Sequence, residues 1–146
     1  MSVCEKKRSF AEQKYRQMNK EELANKALEY KHNGNNCCQA VTAALADFTD
    51  IDRERLTEIS AGFGAGMGNM EGTCGALVGA VLIAGAASKG NGSMRLARQI
   101  SELFAKQCGS TICKTIKGVE TGRPLCSCDE CVRNAVLAFG QVMELL

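Results

Sequence analysis

With 146 residues the chain has room for one domain built on one apolar core. Its 18 Lys and Arg nearly balance 16 Asp and Glu, and 8 of those basic side chains fall within residues 1–31, so the rest offers no basic face of the kind that releases counterions from nucleic acid. Two Tyr and no Trp leave little for base stacking, and nucleic acid is excluded as an expected partner.

Residues 1–18 read as a solvated tail or helix extension, and residues 19–146 as a single helical domain that carries the cysteines. The opening "MSVCEKKRSFAEQKYRQMNK" has no apolar stretch of about 7–15 residues behind its charges, so no export signal is expected and a cytoplasmic protein is. A reducing cytosol disfavours structural disulfides, and nine cysteines is an odd number. Metal binding or thiol redox chemistry is the better account of them. The single proline, Pro124, and the lack of alternating apolar and polar runs predict an all-α, single-domain bundle of six to seven helices.

The first helix is expected to start after Asn19, with Glu22 completing a capping box, and to run to about His32 before "NGNN". His32 reads as a surface residue beside a helix C-terminus. A second helix, capped by Asn36 with Gln39 as its box partner, covers Cys37 to Asp47. A third and shorter one, capped by Asp50 or Asp52, carries Leu56 and Ile59 into the glycines of "GFGAGMGNMEG". That series, Gly62, Gly64, Gly66, Gly68 and Gly72, follows no strand and precedes no Lys-Ser/Thr pair. It therefore reads as a tight loop that lets backbone approach Cys74 rather than as a phosphate cradle.

The apolar run Cys74 to Ala87 has 14 residues, short of the ~20 a bilayer span needs, and predicts a buried central helix over about 74–88 with Thr73 as its cap. Gly75 and Gly79, with Ala76 and Ala80, recur at four-residue spacing and let a neighbouring helix come close. Ser93 is expected to cap a fifth helix, whose Leu96, Ile100, Leu103 and Phe104 form an amphipathic stripe. Ser110 is expected to cap a brief sixth to about Lys117. After the loop of Gly118, Gly122 and Pro124, Ser127 with Glu130 caps a last helix. Its core stripe is Val132, Ala135, Val136, Phe139, Val142, Met143 and Leu146.

These caps put Cys37, Cys74 and Cys128 at first helical positions and Cys113 in a first turn, where free backbone N–H groups and the helix dipole favour thiolate. Four such thiols at helix starts could converge on one site. Cys38 falls on another face of its helix, Cys108 ends the fifth, and Cys4 in the tail reads as incidental. "CSCDEC" sets Cys126, Cys128 and Cys131 at C-x-C-x2-C spacing, close after Cys108 and Cys113. Only Cys128 and Cys131 form a C-x2-C pair, so a zinc ribbon is not indicated. No C-x-x-C-H occurs for haem attachment, and the lone His32 supports no Cys-His catalysis.

From about Leu23 onward the chain resembles the small redox-active family named for four cysteines, one of them in a CGAxxG motif. The motif stands here as Cys74-Gly75-Ala76-Leu77-Val78-Gly79 behind "SAGFGAGMGNMEGT". "NCCQAV" places the first family cysteine on Cys37, Gly109-Ser110-x-x-Cys113 the third, and Cys128 before Val132 the fourth. The resemblance implies an all-helical domain with redox or electron-transfer function and the same four thiols as its site. Cys38, Cys108, Cys126 and Cys131 stand outside the four, as extra ligands, resolving thiols or replacements of small core residues.

The leading expectation is a redox or electron-transfer protein, an oxidoreductase or an electron carrier, in which Cys37, Cys74, Cys113 and Cys128 bind an iron–sulfur cluster. A metal-free thiol–disulfide protein or sensor, exchanging through Cys37 and Cys38 or through Cys126, Cys128 and Cys131, is the alternative. A structural zinc site in an interaction module is the second. The partner would be another redox protein, a homodimer stays open, and no membrane span is expected.

Overall fold

The structure is a computed structural model that describes residues 19–144. The tail, Cys4 and Leu146 lie outside the described residues. Seven α-helices follow in order: α1 Lys20–His32, α2 Cys37–Ala44, α3 Arg53–Ser60, α4 Gly75–Ala87, α5 Ser93–Cys108, α6 Cys113–Lys117 and α7 Cys128–Glu144. Among the described residues there is no strand, only an isolated bridge between Thr73 and Ile112. The class is all-α, as the sequence implies.

Helix α4 runs through the middle and packs on α2, α5 and α7, with α1 against α2 and α7, and α3 against α2. Its small residues explain this place. A Cβ on Gly79 would lie 3.0 Å from the Cys38 carbonyl oxygen and 3.1 Å from Val41 Cβ, so any side chain there would push α2 away by a few tenths of an ångström. Leu77, Ala80 and Ile83 of α4 meet Leu96, Ile100 and Phe104 of α5 and Val132, Val136 and Phe139 of α7 in one buried cluster. The Phe48 and Phe139 rings stand 5.5 Å apart at 51°.

Several boundaries differ from those expected, each for a local reason. Helix α1 is as expected, capped by Asn19, which accepts from the Glu21 amide at 2.7 Å, and ending at His32. Helix α2 stops at Ala44 instead of Asp47: the Arg53 Nε–H donates to the Ala43 carbonyl at 2.9 Å, and the chain tightens into a 3-10 turn over Ala46–Phe48. Asp52, not Asp50, caps α3 through the Arg55 amide. On that helix Leu56 is buried and Ile59 is half exposed. Ser93 is the first residue of α5 rather than its cap, which is Gly92 at φ 68°.

Asp129, in the first turn of α7, ties that helix to the end of α1 by accepting from Lys31 Nζ at 3.2 Å and pairing with His32 Nε2 at 3.0 Å. The bond to His32 first, then the one to Lys31, holds its carboxyl below the usual range against slight burial. A depressed carboxylate stabilises the folded state above its unfolded pKa, near 3.8, and loses that contribution as pH falls through the lower folded value. Asp129→Asn should therefore cost about 0.5–1 kcal/mol near neutral pH, a small value because the pair is exposed. Urea melts at stepped pH should show the gap between wild type and variant closing below pH 4, and a gap independent of pH would refute the assignment.

Candidate functional site

Cys37 opens α2 behind a complete capping box. The Asn36 side chain accepts from the Gln39 amide at 3.0 Å, and Gln39 Oε1 accepts from the Asn36 amide at 3.0 Å. Asn36 Nδ2 also donates to the Ala61 carbonyl at 2.9 Å, and a Cβ on Gly64 would lie 2.5 Å from the Asn36 side chain. One cap residue thus fixes the start of α2 and seats the glycine loop against it.

That loop turns with the wrong hand for L-residues. Ala65, Gly66, Met67 and Gly68 take φ of 53°, 58°, 65° and 80° in succession. For Ala65 and Met67 this costs about 1–2 kcal/mol each. Such strain persists only where surrounding contacts impose it, and it gathers at functional sites. Here the Gly72 amide donates to the Gly66 carbonyl at 3.0 Å and closes the turn, while the Ala65 N–H is delivered to the Cys37 sulfur.

The glycine loop and the α5–α6 connection are laced together by backbone. The Cys74 amide donates to the Thr111 carbonyl at 2.7 Å, and the Cys113 amide to the Gly72 carbonyl at 3.0 Å. This pairing overrides two expected caps. Thr73 is drawn into the bridge, so Cys74 itself becomes the N-cap of α4, which begins at Gly75. Ser110 accepts from the Ile112 amide at 3.1 Å, Ile112 becomes the N-cap, and Cys113 moves from the third position to the first residue of α6. Ser127 does cap α7, its Oγ accepting from the Glu130 amide at 3.1 Å, so Cys128 is first in that helix.

A small cavity of about 20 Å³, open on one side, lies among these helix starts. It is lined by Cys37, Cys74, Cys113 and Cys128, together with Cys126, Cys131, Ala65, Ile116 and Lys117. Cys74, Cys113 and Cys131 are buried, whereas Cys37, Cys126 and Cys128 are half-buried. Every soft donor on the wall is a sulfur. Lys117 brings the one cation among the lining residues, and its field favours thiolate at Cys113.

Burial nevertheless raises the Cys113 thiol, and raises Cys37 against the Ala65 N–H that stabilises its thiolate. Cys74 goes the other way. The Cys131 thiol hydrogen-bonds to it, and the Ala76 and Leu77 N–H groups add to the effect, outweighing burial and bringing the thiol below its ordinary value. The Cys131 thiol is raised, first by its bond to Cys108, next by that to Cys74. Cys38 is fully buried in the core, and burial first, then the neighbouring Cys37 and Cys74, pushes its thiol up to about 12.

A second group of sulfurs adjoins the cavity. Cys108, Cys126 and Cys131 have their Sγ atoms within 4.8 Å of one another, the one such set of metal-ligating side chains among the described residues. The sequence offers the C-x-C-x2-C spacing as a signal, but Cys108 joins Cys126 and Cys131 while Cys128 faces the cavity. That regrouping depends on where the loop before α7 lays Cys126. His32 takes no part and pairs with Asp129.

No helix of the described residues is long and apolar enough to cross a membrane. A family model described as "Putative redox-active protein (C_GCAxxG_C_C)" matches residues 35–142. No curated protein and no solved structure matches the chain.

Proposed function

The chain belongs to the C_GCAxxG_C_C family, and on that premise we propose that Cys37, Cys74, Cys113 and Cys128 are the thiolate ligands of an iron–sulfur cluster in an electron-transfer protein. One observation carries the reading. A single tetrahedral ion with metal–sulfur bonds of ~2.3 Å needs its sulfurs about 3.8 Å apart. No three of these four meet within 4.8 Å, yet all four line one cavity. Thiols spread that far around a hollow suit a polynuclear core better than one ion.

The donor set fits such a group. Thiolates are soft ligands suited to Cu(I), zinc or iron–sulfur clusters, and the cavity wall offers no imidazole or carboxylate. When bound, a cluster supplies one-electron transfer at a potential set by its type, charge, hydrogen bonding and exposure. The chain's own residues would set those terms. The Cys74 thiol is held below its ordinary value, the Ala65 N–H supports Cys37, and Lys117 offsets part of the negative charge that four thiolates would bring together. Ile116 keeps one side of the hollow apolar.

The test is anaerobic purification with visible absorption, iron and acid-labile sulfide measured on the same sample. Iron and sulfide in comparable amounts, with colour that bleaches on dithionite and is lost in Cys113→Ser, support the reading. A colourless, iron-free protein with all thiols open to alkylation, or one that holds a single zinc in the cavity, overturns it.

A further inference from the structure

We propose that Cys108, Cys126 and Cys131 form a second metal site, a three-sulfur pocket for a soft monovalent ion of the Cu(I) class, at the edge of the cavity, where Cys126 and Cys131 share its wall and Cys131 hydrogen-bonds to Cys74. The three come from separate parts of the chain: the last residue of α5, the loop before α7, and the first turn of α7. Their convergence is built by the backbone. Leu125 packs on Gly109, with its Cδ1 3.0 Å from where a Cβ would stand, and the Leu125 amide donates to the Ile116 carbonyl at 2.7 Å. Those two contacts lay the next residue, Cys126, against Cys108, Sγ to Sγ 3.4 Å. The Cys131 amide donates to the Ser127 carbonyl at 2.9 Å, which sets the third sulfur on the opening turn of α7.

Three sulfurs bonded to one ion at ~2.3 Å sit about 3.8–4.0 Å apart. The observed set, closest at 3.4 Å and all within 4.8 Å, needs only small side-chain adjustments to meet that spacing. Asn134, one turn beyond Cys131 on α7, supplies the outer shell: its Nδ2 donates to Cys108 Sγ at 3.3 Å and reaches Cys126 Sγ at 3.9 Å. An amide turned to donate to sulfur offers no fourth ligand, no His, Asp or Glu completes the group, and Cys74, though hydrogen-bonded to Cys131, does not come within 4.8 Å of all three sulfurs. Zinc in structural sites takes four ligands, whereas an all-sulfur, three-donor set suits a soft ion. Binding displaces thiol protons to the buffer and changes no oxidation state, because the ion enters as Cu(I).

Cu(I) supplied anaerobically against a competing chelator tests the site, with iron content followed in parallel. Wild type should retain one Cu(I), and Cys126→Ala should lose it while keeping its helicity. The double variant Cys37→Ala, Cys128→Ala should keep it. Asn134→Leu, which leaves all three sulfurs, should weaken retention about 10- to 100-fold. Retention by Cys126→Ala, loss of the ion in the double variant, or displacement by excess zinc(II) would each overturn the proposal. Iron and sulfide content speaks to the cavity site alone, so the two can fail separately.

Discussion

Cys74→Ser should keep the fold and lose the sulfur chemistry. Position 74 is the N-cap of α4, with the Ala76 and Leu77 N–H groups facing its side chain, and serine is among the best residues for that place. The hydroxyl is buried but finds donors, so the capping gain and the burial cost leave stability within about 1 kcal/mol of wild type. What disappears is a thiolate that lines the cavity and contacts Cys131 of the neighbouring group. Iron content should fall to background and the alkylation of Cys37, Cys113 and Cys128 should change, with circular dichroism and the melting curve nearly as before. Unchanged metal content and unchanged reactivity at those three thiols would mean that the four cysteines do not act as one site.

The reverse outcome, a damaged fold, is expected of Gly66→Ala. Gly66 sits at φ 58° in the left-handed turn, and an added Cβ would lie 2.5 Å from Cys113 Cβ and 2.9 Å from the Gly72 carbonyl oxygen. The left-handed penalty of about 1–2 kcal/mol adds to an overpacking cost of about 1–3 kcal/mol, so the loss is about 2–5 kcal/mol. For a chain of this size that lowers Tm by about 5–15 °C. Gly68→Ala is the control, because its φ is 80° but nothing lies within 4 Å of the new Cβ. It should show the conformational penalty alone, about 1–2 kcal/mol, and leave Cys113 in place. Equal losses in the two variants would remove Gly66 from its role as the seat of Cys113.

The contrast between these positions shows what local sequence could reveal. Asn36-x-x-Gln39 and Ser127-x-x-Glu130 are short-range signals, and they place the starts of α2 and α7 correctly, with Cys37 and Cys128 at the first residue of each. Thr73 and Ser110 offer the same kind of signal and fail for one shared reason. Thr73 takes part in, and Ser110 lies two residues before, the backbone pairing of Thr73 with Ile112, a contact between segments distant in sequence that no local pattern announces. The glycine spacing marks a tight loop, but not that Ala65 and Met67 would share its left-handed conformation. The trio of Cys108, Cys126 and Cys131 was half legible. The cysteines are conspicuous, while the partition between two groups depends on Leu125 docking to Gly109 and Ile116.

On the proposed reading of both groups as metal sites, that partition bears on the order of folding and loading. Cys126, Cys128 and Cys131 are neighbours in any conformation of the chain, so a metal met during synthesis or refolding finds them together at once. In the folded protein Cys126, Cys128 and Cys131 all line the cavity with thiols delivered by α2, α4 and α6, but only Cys126 and Cys131 also close on Cys108 at the end of α5. An ion captured early by the local three would hold sulfurs that the native arrangement must separate. The order of events then matters, with folding first and metal second giving the native product.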